Sequence, residues 1–178
     1  MKKNIFTLVI FTLATLGLIV MALLQAPYYL MRKSNEICIH AAGGVNRFYF
    51  PELADHTFNA FPSPCPDLLY SNLVFDLSKA ALMVEFPAYN DFWVCQMVGD
   101  NTDTFAYVGY RNEKNRPIKM VLFSPYSPGF EAPEDAMLIK SPFDTGVLLV
   151  RYLVRDRNEL PAIDAVRHSV KLLELETE

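Results

Sequence analysis

The residues best suited to chemistry lie close together in the segment 64–78. Asp67, Tyr70, Ser71 and Asp76 form the densest polar group in the sequence. A carboxylate near a phenol can serve in general acid–base catalysis or in binding a hydroxylated ligand. A structural role is the favoured interpretation, because an aspartate after prolines caps turns and a buried tyrosine hydroxyl commonly bonds to the backbone. These four residues are ligand-binding candidates, and no catalytic residue is assigned.

Arg111 is a fifth candidate, which could clamp an anionic ligand together with Arg151. Pairing of each arginine with an aspartate is the preferred alternative. The run Asp100–Asp103 is similar to the start of a calcium loop, but Phe105 stands where that loop needs glycine and Arg111 where it needs glutamate. We therefore predict a hairpin turn here and no metal site.

The three cysteines lack the paired spacing of a zinc site or a CxxC redox motif. Cys38 and Cys65 could form one disulfide if the domain faces an oxidising space. Cys95 alternates with Trp93 and Met97 on one face of a predicted strand, which favours an inert buried thiol.

Signatures of common enzyme classes do not occur in the sequence. It has no G-x-S-x-G elbow, no H-E-x-x-H pair, no P-loop and no dinucleotide fingerprint. We therefore expect no cofactor, and the sequence leans against enzymatic activity without deciding the question.

Charge is divided unevenly along the chain. The first 33 residues hold 4 of the 16 basic residues and no acidic residue, so the remainder carries 12 basic and 20 acidic residues, a formal charge of −8. Such a domain is repelled by phosphate backbones. Nucleic acid is therefore not an expected partner.

The elements that position these residues begin with an apolar segment. Ile5 to Leu24 are 20 uncharged residues, about the length that a helix needs to cross the hydrocarbon of a bilayer. A cleaved signal sequence is the alternative, but Leu24 stands where the small-x-small cleavage site before Pro27 needs a small residue. We predict a single-pass anchor, with the anchor and its flanks at 1–33 and one domain at 34–178.

The sequence of the domain predicts a β-rich fold. After an irregular stretch from 34 to about 66, in which Asn46–Phe50 is a strand candidate, β-branched and aromatic runs are separated by turn residues. Seven strands are predicted, at Leu69–Phe75, Ala81–Phe86, Phe92–Val98, Phe105–Tyr110, Ile118–Phe123, Met137–Lys140 and Gly146–Val154. Seven short strands favour a sandwich or barrel.

One helix is predicted near the C-terminus. Leu160, Ile163, Val166, Val170 and Leu173 recur at steps of three and four residues. A cap at Asn158 and a proline at 161 in the first turn mark its start.

Two motifs resemble a known family. P-C-P-D-L-L-Y-S at 64–71, followed by D-L-S at 76–78, resembles the P-N-x-D-T-L-Y-S…D-L-S signature of the family called domain of unknown function 1254. F-A-Y-V-G-Y-R at 105–111 is similar to that family's F-A-Y-V-G-x-R element. Cys65 and Leu68 depart from the first signature, where the family has asparagine and threonine.

The resemblance implies a mainly β fold, an immunoglobulin-like antiparallel β-sandwich with one C-terminal helix. Proteins of this family are usually secreted, and the domain is usually followed by a jelly-roll domain of unknown function 1214. We expect here a stand-alone form behind a single N-terminal transmembrane helix. The expected location is a bacterial inner (cytoplasmic) membrane, with the domain facing the periplasm.

Three functional hypotheses follow. The leading one is a membrane-anchored interaction module that docks a separately encoded jelly-roll protein. The alternative is a cell-envelope enzyme or a binder of a carbohydrate-like or anionic ligand that uses Asp67, Tyr70 and Arg111. The third is a structural envelope protein without a ligand.

Overall fold

Two helices and nine strands make up the described part of the chain. The computed structural model describes residues 2–54, 65–111 and 115–175. The helices are α1 (Lys2–Ala42) and α2 (Leu160–His168), and a short 3-10 turn, Arg157–Glu159, precedes α2. The strands are β1 (Phe48–Tyr49), β2 (Leu68–Asp76), β3 (Ala81–Phe86), β4 (Trp93–Gly99), β5 (Thr104–Gly109), β6 (Ile118–Phe123), β7 (Met137–Lys140), β8 (Thr145–Leu153) and β9 (Lys171–Leu175).

The strands form two sheets. The five-stranded sheet has the order β1-β2-β8-β4-β5 with antiparallel neighbours, and the four-stranded sheet has the order β7-β6-β3-β9 with a parallel β6–β7 pair. One cluster of buried side chains draws on both, for example Leu73 and Leu148 from the first sheet and Val84 and Met120 from the second. Strands β4 and β8 supply every second side chain to this shared core, and β3 is buried over four consecutive residues.

The predicted strands match the structure closely. Ala81–Phe86, Ile118–Phe123 and Met137–Lys140 have the predicted bounds, and the other four predicted strands are displaced by one residue at one or both ends. The mainly β fold, with one helix near the C-terminus and an apolar helix at the N-terminus, is confirmed. Its description as immunoglobulin-like stays a prediction.

Helix α1 contains the predicted apolar segment. An 18-residue window has a mean hydropathy of 2.6 and none of it is buried. By length and composition the helix could cross a membrane, and its N-terminal position also fits a signal sequence. It spans 41 residues, or about 60 Å at 1.5 Å per residue.

The helix runs further than predicted. The stretch expected to be irregular from residue 34 is helical as far as Ala42, and residues 55–64 of that stretch lie outside the described residues. Two glycines end the helix: Gly43 has a φ of +75°, and the Gly44 amide donates to the Ile39 carbonyl at 3.0 Å. This is a Schellman-type stop, in which glycine adopts the left-handed conformation at little cost. The predicted boundary between residues 33 and 34 therefore falls inside α1.

The C-terminal helix is shorter than predicted. It ends at His168, so Val170 and Leu173 do not belong to it, and Lys171–Leu175 form β9 along β3. The cap is also different, because Asp156 rather than Asn158 caps the preceding 3-10 turn. The segment 171–175 forms a strand despite its helical spacing, because it pairs with the edge of β3. Local sequence does not reveal that this edge is available.

Candidate functional site

The outer face of the five-stranded sheet presents several of the predicted site residues. In β8 every second residue from Gly146 to Tyr152 is buried, and the residues between are half-buried. Tyr70 pairs with Arg151, which pairs with Val94. Residues in one such row share a face of the sheet. Tyr70, Arg151 and Val94 therefore all lie on the face turned away from the core.

Tyr70 and Asp67 make structural contacts. The Tyr70 hydroxyl accepts a hydrogen bond from the Cys65 amide at 3.2 Å. Asp67 is exposed in the turn before β2, and its carbonyl accepts from the Val154 amide at 2.9 Å. These two contacts stabilise the start of β2, one through the Cys65 amide and the other through the Val154 amide.

Ser71 and Asp76 lie at different places on β2. Ser71 is buried on the core side, and its hydroxyl has no hydrogen-bond partner within the described residues. Asp76 ends the strand, where its carboxylate accepts from the Ser78 amide at 3.0 Å and from the Ser78 hydroxyl at 2.6 Å. Its backbone amide donates to the side chain of Asn46 at 2.8 Å. Asp76 thus organises the turn that follows β2.

Arg111 follows the end of β5, at the opposite edge of this sheet from β2, and lies among aromatic residues. It lines a cavity of about 380 Å³ together with Phe92, Trp93, Val94 and residues 107–110. Tyr107 is 59% exposed and Phe92 is 40% exposed. We call Phe92, Val94, Tyr107 and Arg111 the aromatic surface.

The candidate residues do not share one of these cavities. Strands β8 and β4 separate Tyr70 on β2 from the end of β5 that precedes Arg111, three strand spacings or about 14 Å. Asp76 lines a second cavity, beside α1. The structure brings Arg111 together with aromatic residues rather than with Asp67 or Tyr70.

That second cavity lies between α1 and one end of the five-stranded sheet. Its volume is about 260 Å³. Helix α1 contributes Tyr28, Arg32, Asn35, Glu36 and Ile39, and the domain contributes Val45, Val74, Phe75, Asp76, Asp100 and Thr145. We call it the α1 cavity.

A buried arginine that sequence reasoning missed holds α2 to the rest of the domain. Arg167 is 5% exposed, and its Nη1 donates to the carbonyls of Pro51 at 2.7 Å and Tyr70 at 2.8 Å. Its Nε donates to the Asp164 carboxylate at 2.5 Å. The sequence feature that could have indicated its burial is its position four residues after Ile163, on the apolar stripe of the helix.

The three cysteines are free thiols in the structure. A Cys38–Cys65 disulfide in an oxidising space stays a hypothesis. Burial raises the pKa of the Cys38 thiol to about 11 and raises the pKa of Cys95 as well. Cys95 lies in the core, as expected. Among the described residues, no group of three His, Cys, Asp or Glu side chains could hold a metal ion.

Comparison with known families identifies the family of this chain. The model of a protein family of unknown function, DUF1254, matches residues 45–174, more than half of the chain. The chain belongs to the DUF1254 family. No curated protein matches the sequence.

Two solved structures are similar to this DUF1254 protein. The VPA0106 protein from Vibrio parahaemolyticus is 14% identical with a TM-score of 0.62, and the match covers 85% of this chain and 37% of that one. An uncharacterized protein from Burkholderia cenocepacia is 17% identical with a TM-score of 0.48, covering 86% of this chain and 40% of that one. The chain therefore spans less than half the length of either protein. The Vibrio structure supports the fold of this DUF1254 protein and carries no functional assignment.

Proposed function

We propose that the protein is a membrane-anchored interaction module of the cell envelope. The domain docks a separately encoded protein with the jelly-roll domain of unknown function 1214, and it does so through the aromatic surface. The single observation that carries this proposal is the exposure of Tyr107 and Phe92 around the cavity at Arg111.

The composition of this surface suits a protein partner. Tyrosine, phenylalanine and arginine are enriched in protein–protein interfaces, and tyrosine and arginine dominate their binding energy. Strand β5 contains no charged residue between Thr104 and Gly109, although it is the last strand in the order of its sheet. Edge strands that stay exposed commonly carry charges or proline, so an uncharged one favours coverage by a partner.

Two of the four residues of the aromatic surface, Val94 and Tyr107, lie on paired strands. Gly109 lies directly against Val94 in the β4–β5 pair, and Val94 pairs with Arg151 of β8 on its other side. Tyr107 itself pairs with Gln96 of β4, so it projects from paired backbone rather than from a loop. Such a surface loses little conformational entropy on binding.

The choice of partner rests on the longer related structure. The match covers 37% of the Vibrio protein, so most of that chain lies outside the shared fold. This supports a module that works beside further protein. A membrane anchor would confine the module to one surface, and a partner held at the same surface would meet it at a raised effective concentration.

The test is co-expression of the tagged full-length protein with the jelly-roll protein, extraction in mild detergent and measurement of the recovered partner. Tyr107→Lys removes the aromatic ring and adds a charge, so we expect about 30-fold weaker binding, the loss of roughly 2 kcal/mol typical of a central interface residue. Tyr126→Lys is the matched control, since Tyr126 is 75% exposed in the loop after β6.

Recovery of the wild-type protein without this partner contradicts the proposal, as does equal binding by both variants. The fluorescence of Trp93, the single tryptophan, reports whether each variant is folded.

A further inference from the structure

The α1 cavity lies where the apolar segment of the chain meets the domain. Tyr28, Arg32, Asn35 and Ile39 follow one another at steps of three or four residues, so they share one face of the helix. That face closes over the end of the sheet formed by Asp76 of β2 and Thr145 of β8, which are paired. The cavity therefore joins helix and domain residues that are far apart in sequence.

The charged groups around the cavity are mostly acidic. Glu36, Asp76 and Asp100 contribute carboxylates and Arg32 contributes a guanidinium. The Thr145 hydroxyl donates to one oxygen of Asp100, and Ser78 donates to one oxygen of Asp76. These donors hold two of the carboxylates in place. Glu36 forms an ion pair with Lys33 at 2.7 Å, and both side chains are more than half exposed.

A buried amide points to a ligand with hydrogen-bond donors. Asn35 lines the cavity and is 8% exposed, and its Oδ1 has no hydrogen-bond partner among the described residues. A buried carbonyl oxygen that is left without a donor has lost its hydrogen bonds to water and gained none in return. A donor that enters the cavity would restore such a bond, and an ammonium group would also be attracted by the carboxylates.

The position of the cavity along α1 places it near a membrane surface. At 1.5 Å per residue, Tyr28 lies about 6 Å, Arg32 about 12 Å and Asn35 about 16 Å beyond Leu24 along the helix axis. The head-group layer of a bilayer is roughly 5–8 Å deep on each side. Tyrosine favours this layer, and arginine extends its long side chain toward it. Arg32 is thus placed to meet lipid phosphate.

We propose that the α1 cavity binds a phosphoethanolamine group, as the head group of a membrane phospholipid. Arg32 contacts the phosphate, and Asn35 with the carboxylates of Glu36, Asp76 and Asp100 receives the ammonium. The volume of about 260 Å³ lies below the roughly 300–1,000 Å³ of pockets for drug-sized ligands, which suits a small head group. The inference rests on the membrane anchor of the proposed function but not on the aromatic surface.

The experiment is native mass spectrometry of the full-length protein in mild detergent with equal amounts of phosphatidylethanolamine, phosphatidylglycerol and phosphatidylcholine. We expect selective retention of phosphatidylethanolamine. Asn35→Leu and Asp100→Asn should each lower that retention about tenfold, the loss expected for one hydrogen bond to a charged group. Glu134→Gln, at an exposed site before β7, is the matched control and should retain the lipid fully.

A second arm separates a lipid from a soluble source of the same group. Soluble phosphoethanolamine should displace the lipid, whereas inorganic phosphate at the same concentration should not. Equal displacement by phosphate, equal retention of phosphatidylglycerol, or full retention by folded Asn35→Leu overturns the proposal.

A separate observation tests the membrane anchor. If the protein is released from membranes without detergent, the anchor is wrong, while binding of soluble phosphoethanolamine still measures the cavity.

Discussion

The three cysteines differ in how far the fold shields each sulfur. Cys38 and Cys95 are buried, and Cys65 is partly exposed just before β2. Burial disfavours the thiolate, which is the reactive form. Reactivity toward an alkylating reagent should therefore identify Cys65 as the accessible thiol.

This predicts a strong pH dependence for Cys38. With a pKa of about 11, roughly 0.1% of the thiol is ionised at pH 8 and roughly 10% at pH 10. A raised pKa shifts ionisation to higher pH, so alkylation of Cys38 should accelerate about 100-fold between these values if the fold persists. Iodoacetamide labelling followed by peptide mass spectrometry measures each site. Rapid labelling of Cys38 at pH 8 would show that α1 does not stay packed on the domain.

Single residues also show where sequence reasoning reached its limit. The polar group at 67–76 was found because its members are close in sequence, but strand geometry turns Ser71 toward the core and Tyr70 away from it. Asn35 and Thr145 both line the α1 cavity and are separated by more than 100 residues. No local pattern joins such residues, because only the fold brings them together.

At the scale of elements, the strands were predictable and their partners were not. Alternation of buried and half-buried residues in β4 and β8 repeats the apolar alternation of the sequence. β9 was missed because Leu173 also continues the helical stripe of Ile163 and Val166, and pairing with β3 decides its structure. The extension of α1 could have been predicted, since neither glycine nor proline occurs between Tyr28 and Ala42 and Gly43-Gly44 is a stop signal.

The β4–β5 pair depends on Gly109, the glycine of the family motif. A Cβ at this position would lie 2.5 Å from the Trp93 carbonyl oxygen and 2.9 Å from the Val94 Cα. Both are backbone atoms, so they cannot turn aside as a side chain could. The Trp93 carbonyl also accepts from the Tyr110 amide at 3.1 Å, a contact that the methyl group would disturb.

We therefore predict that Gly109→Ala destabilises the domain by about 1–3 kcal/mol, the usual cost of overpacking. The melting temperature should fall by roughly 2–4 °C for each kcal/mol in a domain of this size. Thermal unfolding of the full-length protein in detergent, followed by Trp93 fluorescence, measures the change. Gly17→Ala is the control, because a Cβ there meets nothing within 4 Å. Equal melting temperatures for both variants would remove the steric explanation of this glycine.

At the scale of the whole molecule, α1 links the apolar segment to the domain through continuous helix. Asn35 and Cys38 are buried in the same helix whose earlier residues, from Ile5 to Leu24, are mostly well exposed. A helix that packs on the domain cannot swivel as a flexible linker would. If the apolar segment crosses a membrane, this packing orients the domain relative to the bilayer.

Charge alone does not decide which side of the membrane the domain occupies. Lys2 and Lys3 precede the apolar segment, and Arg32 and Lys33 follow it. The domain's formal charge of −8 adds little, because acidic residues contribute little to membrane orientation. The proposal that the domain faces the periplasm therefore needs a direct test of topology.

The resulting prediction uses Cys65 as a native reporter of topology. In spheroplasts, a membrane-impermeant maleimide should label Cys65, because we propose that the domain faces the periplasm and this cysteine is partly exposed. The Asn4→Cys variant combined with Cys65→Ser should stay unlabelled until the membrane is dissolved, since the proposed orientation puts residue 4 on the cytoplasmic side. The intact mass of the isolated protein should also include the first 26 residues. The reverse labelling pattern would place the domain in the cytoplasm, and a shortened mass would identify Ile5–Leu24 as a cleaved signal.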